Sequence, residues 1–254
     1  MNTYCFPSNR DWQLFVDDPT QWKAVEDDGS ITIPEPIDII CVLDDVKVLF
    51  EPHFGKDRVN SHHLSILASH DCPSTFSKRG IIFLSARGRY WAKYMYQFAH
   101  ELCHFIIYDG VATEMRWFEE TICELASLYF LDRLSEKWTT APPYPSWRDY
   151  SSSIKSYSES EMATAEKIPN GMTFSDFIAS SLPALEIDCY QRAINTLCAN
   201  HLLPIFKAEP SLWKDVPKIG DLSPGGTFQK SLMEWKSLSE NNSAVQTVID
   251  VFFP

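Results

Sequence analysis

One long buried helix is the clearest element that the hydrophobic pattern of the chain predicts. Residues 89–108 contain neither proline nor glycine, and only Arg89, Lys93 and Glu101 among them are charged. Apolar side chains cover nearly every side of the helical projection, which is typical of a helix surrounded by protein. Ile81 to Ser85, directly upstream, predicts a strand that lies either at the edge of a sheet or in its interior.

A second helix is predicted over residues 117–134, which are amphipathic and contain no helix breaker. The proline-rich stretch 139–147 then interrupts the pattern, because closely spaced prolines cannot continue a helix. Residues 148–254 predict a mostly helical second half, including a helix over 188–203 that ends near Pro204.

The N-terminal part gives weaker signals. Residues 10–26 combine aromatic and aliphatic positions at mixed helical spacing, which predicts one or two short helices. Ile37 to Cys41 and Val46 to Phe50 are rich in β-branched residues, and the intervening Leu43-Asp44-Asp45 favours a hairpin. Residues 51–78 are polar and predict irregular structure.

Composition narrows the functional classes. The net charge is −12, and no basic cluster exceeds two residues, so binding to nucleic acid or to an anionic membrane is not expected. Seven cysteines without a C-x-x-C pair, and no secretory signal at the N-terminus, predict reduced thiols in a cytoplasmic protein. Cys103 and Cys123 are expected to pack in the core. With 254 residues, the chain can form two domains, 1–138 and 139–254, or one continuous domain.

The predicted buried helix carries the motif His100-Glu101-Leu102-Cys103-His104. At about 100° per residue, the two histidines lie about 40° apart, one turn above the other, so both imidazoles can reach one metal ion. Glu101 lies about 60° from His104 and can face a water on the metal without being a ligand. This arrangement predicts a zinc hydrolase in which Glu101 is the catalytic base.

The second helix is expected to supply the third zinc ligand. Glu120 and Glu124 are four residues apart and share a helical face. We assign Glu120 to the metal, and Glu124 to a hydrogen bond that orients a ligating histidine. The reverse assignment stays open, because spacing alone does not fix which helical turn reaches the ion. Candidates for an oxyanion-stabilising donor lie in the second half of the chain: Tyr144, Tyr150, Tyr157 and His201.

These motifs resemble those of the gluzincin metallopeptidases, and the sequence around them resembles the ImmA/IrrE-type family. The resemblance covers roughly residues 79–134, about a fifth of the chain, and its matching pieces are the strand 80–85, the segment Phe98 to His104 and the helical segment Glu120 to Ser127. Cys103 stands where that family usually has glycine, and Cys123-Glu124 where it prefers Ala-Asn.

The resemblance implies an α+β fold. Its zincin-like core would hold a small sheet, the HExxH helix and the glutamate-bearing helix, followed by a mostly helical C-terminal half. It implies a Zn²⁺-dependent peptidase acting on a peptide or protein substrate, including a dedicated regulator protein. The alternative is a zinc-containing regulatory or binding protein that keeps this fold with little or no general proteolytic activity.

Overall fold

The structure, a computed structural model, describes residues 4–5, 14–59, 63–69, 71–108 and 110–254. The fold is α+β with helix predominating, as the sequence predicts. The chain forms two compact units, each built from two segments. The first unit is Met1–Ile106 with Phe130–Ser158, and the second is Ile107–Tyr129 with Glu159–Pro254. This grouping does not test the predicted boundary at residue 138, which stays a prediction.

The first unit contains a five-stranded mixed sheet and a separate two-stranded hairpin. The described strands are β1 (Tyr4–Cys5), β2 (Leu14–Val16), β3 (Ala24–Val25), β4 (Ile31–Thr32), β5 (Leu64–Ala68), β6 (Ser74–Phe76) and β7 (Ile81–Leu84). The larger sheet has the order β1-β2-β5-β7-β6, and β3 pairs with β4. Strands β2, β5 and β7 run parallel, whereas β1 and β6 are antiparallel to their neighbours.

The predicted strand before the motif helix is confirmed, and its place in the sheet is resolved. Strand β7 pairs with β5 on one side and with β6 on the other, so it is an interior strand. The sheet edge on this side is β6, within a stretch where the sequence predicts only irregular structure. Strand β5 and the short helix α2 (Lys56–Val59) also lie in that stretch, so the prediction for 51–78 is wrong.

The predicted hairpin over Ile37–Cys41 and Val46–Phe50 is wrong as well. The segment is one helix, α1 (Pro36–Phe54), and Leu43-Asp44-Asp45 lies inside it. The fully buried residues along it recur at spacings of three and four (Ile39, Leu43, Val46 and Phe50), which is the helical period. Asp45 lies within this helix and not in a turn. Its carboxylate accepts hydrogen bonds from Lys137 Nζ at 2.7 Å and Trp138 Nε1 at 2.8 Å.

The one or two short helices predicted over residues 10–26 are found only in part, and 10–13 lie outside the described residues. Leu14–Val16 is strand β2, and Pro19–Trp22 is a single 3₁₀ turn. Asp18 caps this turn by accepting a hydrogen bond from Thr20 N at 2.8 Å. Pro19 follows as the first residue of the turn, where its missing N–H costs nothing.

Three further helices contribute to the first unit. They are α3 (Trp91–Ile107), the C-terminal part of α4 (Arg116–Trp138) and most of α5 (Ser151–Met162). The bounds of α3 and α4 confirm the two helices that the sequence predicts most clearly. Helix α1 packs on the end of α4 through stacked Phe50 and Phe130, whose ring centroids are 4.0 Å apart.

The second unit is helical, as predicted for most of the C-terminal half. Its other helices are α6 (Phe174–Ile187), α7 (Arg192–Ala208), α8 (Phe228–Leu238) and α9 (Asn242–Phe252). Aromatic side chains from α4, α8 and α9 form its core: Trp117, Phe118, Phe228, Trp235 and Phe252. Pro204 does not end its helix as predicted, because α7 continues to Ala208.

The helices in the described part of the chain were also compared with the requirements of a bilayer span. None of them combines the necessary length with sufficient hydropathy.

The half-buried position of His53 predicts a pH dependence of stability. Burial lowers the pKa of this imidazole from its ordinary value of 6.5, and the nearby Arg133 lowers it further. The unfolded chain therefore binds a proton more readily than the folded chain, so the free energy of unfolding should decrease as the pH falls below about 6.5. Burial lowers the pKa of His201 in the same direction.

In urea unfolding at about pH 7.5 and about pH 5.5, His53→Gln should reduce the pH dependence of the unfolding free energy. The exposed His63 provides the control variant His63→Gln, which should keep the wild-type dependence. An unchanged dependence in His53→Gln would contradict the prediction.

Candidate metal centre

Helix α3 carries the candidate centre. Contacts just before its first residue and at Gln97 hold the helix in place. Gly88, three residues before the helix, has φ of +56° and lies so close to the β3 strand that an added Cβ would come within 2.7 Å of Ala24 Cβ. Its N–H donates to Trp22 O at 2.7 Å. Within the helix, Tyr94, Phe98 and residues around them are fully buried, which confirms the buried helix predicted from the sequence.

Gln97 joins α3 to the end of strand β7. Its Oε1 accepts hydrogen bonds from Ser85 N at 3.0 Å and Ala86 N at 2.9 Å, and its Nε2 donates to Ser85 Oγ at 2.8 Å. The amide of this buried side chain therefore satisfies two backbone donors where the strand ends. Gln97 lies one turn before Glu101, and its hydrogen bonds fix the position of the helix relative to the sheet.

The two histidines of the motif lie together as their spacing predicts. His100 Nε2 and His104 Nε2 are 3.2 Å apart, and both residues are half-buried. Two nitrogens bound to one zinc ion at tetrahedral angles lie about 3.3–3.4 Å from each other, given zinc–nitrogen distances of about 2.0–2.1 Å. The observed separation fits a shared metal ion.

Glu101 is buried beside this pair and faces the sheet. Its Oε2 accepts a hydrogen bond from Thr75 Oγ1 at 2.7 Å, and the same hydroxyl lies 2.9 Å from Glu101 O. Thr75 is the central residue of β6. In the described part of the chain, Glu101 has no other side-chain hydrogen-bond partner. Sequence reasoning missed Thr75, because the contact joins residues 26 positions apart and no local pattern signals it.

Cys123 forms a group with the two histidines. One ligand atom of each residue, the imidazole nitrogens of His100 and His104 and Cys123 Sγ, lies within 4.8 Å of the others. The thiol is fully buried, so the predicted core position of Cys123 is confirmed, but its nearness to the histidines was not expected. Thiolate sulfur is a common zinc ligand, and the group can therefore bind such an ion.

Glu120 and Glu124 lie on the same helix, within one turn of Cys123. Glu124 is buried, whereas Glu120 is half-buried. Glu120 also lies near Cys189: burial raises the pKa of the Cys189 thiol, and the charge of Glu120 raises it further. Neither carboxylate belongs to the group of candidate ligand atoms found among the described residues. The assignment of Glu120 to the metal and of Glu124 to a supporting role stays a prediction.

The four candidate oxyanion donors have different surroundings. Tyr144 lies against Asp38 and Cys41, and desolvation together with these groups raises its pKa to about 12. Tyr150 Oη accepts a hydrogen bond from Ala92 N at 3.3 Å, and His201 stacks on Phe174. Tyr157 packs edge-on against Tyr96, with 5.7 Å between ring centroids.

Tyr96 is one turn before His100 on α3, so Tyr157 contacts the face of that helix that carries the histidines.

Arg87, just before α3, has a structural role. Its guanidinium donates to the carbonyl oxygens of Ala86 at 2.8 Å and Leu84 at 3.3 Å, and also to Ser69 O. It also lies over the ring of Trp22. These contacts connect the ends of β5 and β7 and leave no reason to assign Arg87 to a substrate.

Comparisons with protein-family models, with curated proteins and with solved structures gave no match to this chain.

The cysteine in the group gives a spectroscopic prediction. If Cys123 is the third ligand, the cobalt(II)-substituted protein should show an intense thiolate-to-metal absorption in the near ultraviolet. Cys123→Ser should remove this absorption, whereas Glu120→Gln should leave it in place.

Cys198→Ser is the matched control, since Cys198 is also a buried free cysteine but lies outside the group. Cobalt binding without the thiolate absorption would contradict ligation by Cys123 and favour Glu120, the ligand predicted from the sequence.

Proposed function

We propose that this protein is a zinc-dependent peptidase with its metal centre on helix α3. The observation that carries the proposal is the 3.2 Å separation of the two Nε2 atoms, with the buried carboxylate of Glu101 next to His100. The resemblance of residues 79–134 to gluzincin peptidases supports the same chemistry. The proposal includes a zincin-like arrangement of sheet and helices around this centre.

His100 and His104 would hold the ion, with a third ligand from α4. The described geometry supports Cys123 in that role, and the sequence supports Glu120. Either choice gives three protein ligands, the number typical of catalytic zinc sites, which keep a further position for water or substrate. When bound, zinc supplies Lewis-acid polarisation of a carbonyl and increases the acidity of water.

Glu101 is the proposed general base. Its position in the motif lets Glu101 face a water on the metal without being a ligand. Its burial keeps bulk water from competing for the proton. A carboxylate in this position can accept a proton from the attacking water and later donate it to the amine that leaves when the peptide bond breaks. Tyr157 is the proposed donor to the oxyanion, because it packs against Tyr96 on the helical face that carries the histidines.

The proposed substrate is a peptide or protein, including a dedicated regulator, and the proposed compartment is the cytoplasm. The six cysteines whose side chains the structure describes form no disulfide, which fits a reducing environment. The acidic net charge gives no reason to expect nucleic acid or an anionic membrane surface as a partner.

The central test replaces the proposed base. Glu101→Gln preserves the size of the side chain and removes its basicity, so the rate of cleavage should fall about 10²- to 10⁴-fold. Zinc content should stay near that of the wild type, because Glu101 is not a ligand. The assay uses a degenerate mixture of quenched fluorescent peptides, with zinc measured by elemental analysis on the same preparations.

Glu136→Gln provides the matched control, since Glu136 is exposed and forms an ion pair with Arg133 at 3.4 Å. It should leave the rate unchanged. If Glu101→Gln cleaves the mixture as fast as wild type, the peptidase proposal is wrong. The same holds if wild-type protein with stoichiometric zinc cleaves nothing, an outcome that would favour the regulatory or binding role.

A further inference from the structure

The hydroxyl of Thr75 makes the hydrogen bond that orients the buried carboxylate of Glu101. It lies 2.7 Å from Glu101 Oε2 and 2.9 Å from Glu101 O. A threonine hydroxyl has one proton, so it donates to one of these oxygens at a time. Bonds from a neutral donor to a carboxylate are the shorter and stronger kind, which favours Oε2.

Strand geometry explains why Thr75, among the residues of β6, reaches this position. Side chains alternate between the two faces of a strand. Thr75 is paired with Ile82, whose side chain is fully buried. Phe76 points to the opposite face, where it is about half exposed and packs edge-on against Phe83. The pairing register therefore turns only the middle residue of β6 towards α3.

The contact also distinguishes the two carboxylate oxygens of Glu101. Because Thr75 engages Oε2, Oε1 is the oxygen left to accept a proton. A carboxylate without this bond could rotate about its last side-chain torsion, which is a broad and soft coordinate. The hydrogen bond from the Thr75 hydroxyl thus limits rotation of the carboxylate and keeps Oε1 pointing in one direction.

We infer that Thr75 is a positioning residue for the general base. The inference rests on the proposed function, since it gives Thr75 a role only if Glu101 takes part in the reaction. Thr75 acts through Glu101, and its effect on the rate should therefore depend on the hydroxyl and not on the shape of the side chain. A purely structural threonine would instead affect stability and leave the turnover of folded protein unchanged.

The test uses three variants of the full chain on β6. Thr75→Val keeps the branched shape and removes the hydroxyl, Thr75→Ser keeps the hydroxyl, and Ser74→Ala removes a neighbouring hydroxyl that makes no side-chain hydrogen bond in the described structure. For each, kcat and KM are measured on one quenched fluorescent peptide chosen from the degenerate mixture as a wild-type substrate. Zinc content and Tm are recorded in parallel.

We expect Thr75→Val to lower kcat about ten- to a hundred-fold with KM and zinc content near wild type, since misplacement of a catalytic group acts on the chemical step. Thr75→Ser should restore most of the rate, and Ser74→Ala should match the wild type. A Thr75→Val protein with wild-type kcat would overturn the inference, as would a Thr75→Ser protein as slow as Thr75→Val.

Failure of the positioning role of Thr75 and failure of the peptidase proposal give different results. If Glu101→Gln abolishes cleavage while Thr75→Val does not slow it, the peptidase proposal stands and the positioning role is wrong. If Glu101→Gln is as active as wild type, both are wrong. Should Thr75→Val fold poorly, a Thr75→Ser protein that folds and still loses the rate would overturn the inference.

Discussion

The burial of polar side chains on helix α3 is the constraint on which the proposed centre depends. A helix surrounded by protein can carry polar groups only if partners satisfy them, because an unsatisfied polar group in a core costs about 1–3 kcal/mol. Gln97 is satisfied by the backbone where β7 ends, and Glu101 by the hydroxyl of Thr75. Both contacts connect α3 to the sheet, so the polar residues determine how the helix is placed.

The same constraint explains why the polar residues of α3 fall into two pairs with different surroundings. Gln97 and Glu101 are four residues apart and face the sheet, while His100 and His104, also four apart, form the neighbouring pair. The sheet-facing residues are held by fixed donors. The two imidazoles instead direct their nitrogens towards each other at 3.2 Å, within hydrogen-bond distance and close to the separation of two nitrogens on one zinc ion. A divalent cation between them would give both nitrogens a common partner.

Periodicity in the sequence predicted the elements that present this centre. Helices α3 and α4 have long apolar patterns without breakers, and both were found close to their predicted bounds. Helix α1 was mistaken for a hairpin because its isoleucines and valines favour strands locally, whereas its burial follows the helical period. The short edge strand β6 has three residues and is defined by its pairing with β7, which local sequence does not encode.

The histidine pair could be predicted because both ligands lie on one helix, where spacing fixes direction. Both candidates for the third ligand lie on a different helix, and the rotation of that helix is set by tertiary packing. On α4, Cys123 points only about 60° away from Glu120, so a small rotation changes which of them faces the histidines. The carboxylates of α4 predict an oxygen ligand and the apolar neighbours of Cys123 predict a core position, whereas in the structure the thiol lies close to the histidines.

X-ray absorption at the zinc edge of the freshly purified protein tests the central claim most directly. The account predicts about one zinc per chain, with two imidazole nitrogens at about 2.0–2.1 Å; one sulfur at about 2.3 Å would identify Cys123 as the third ligand. Protein that carries no zinc, or zinc whose spectrum lacks imidazole scattering, would contradict it.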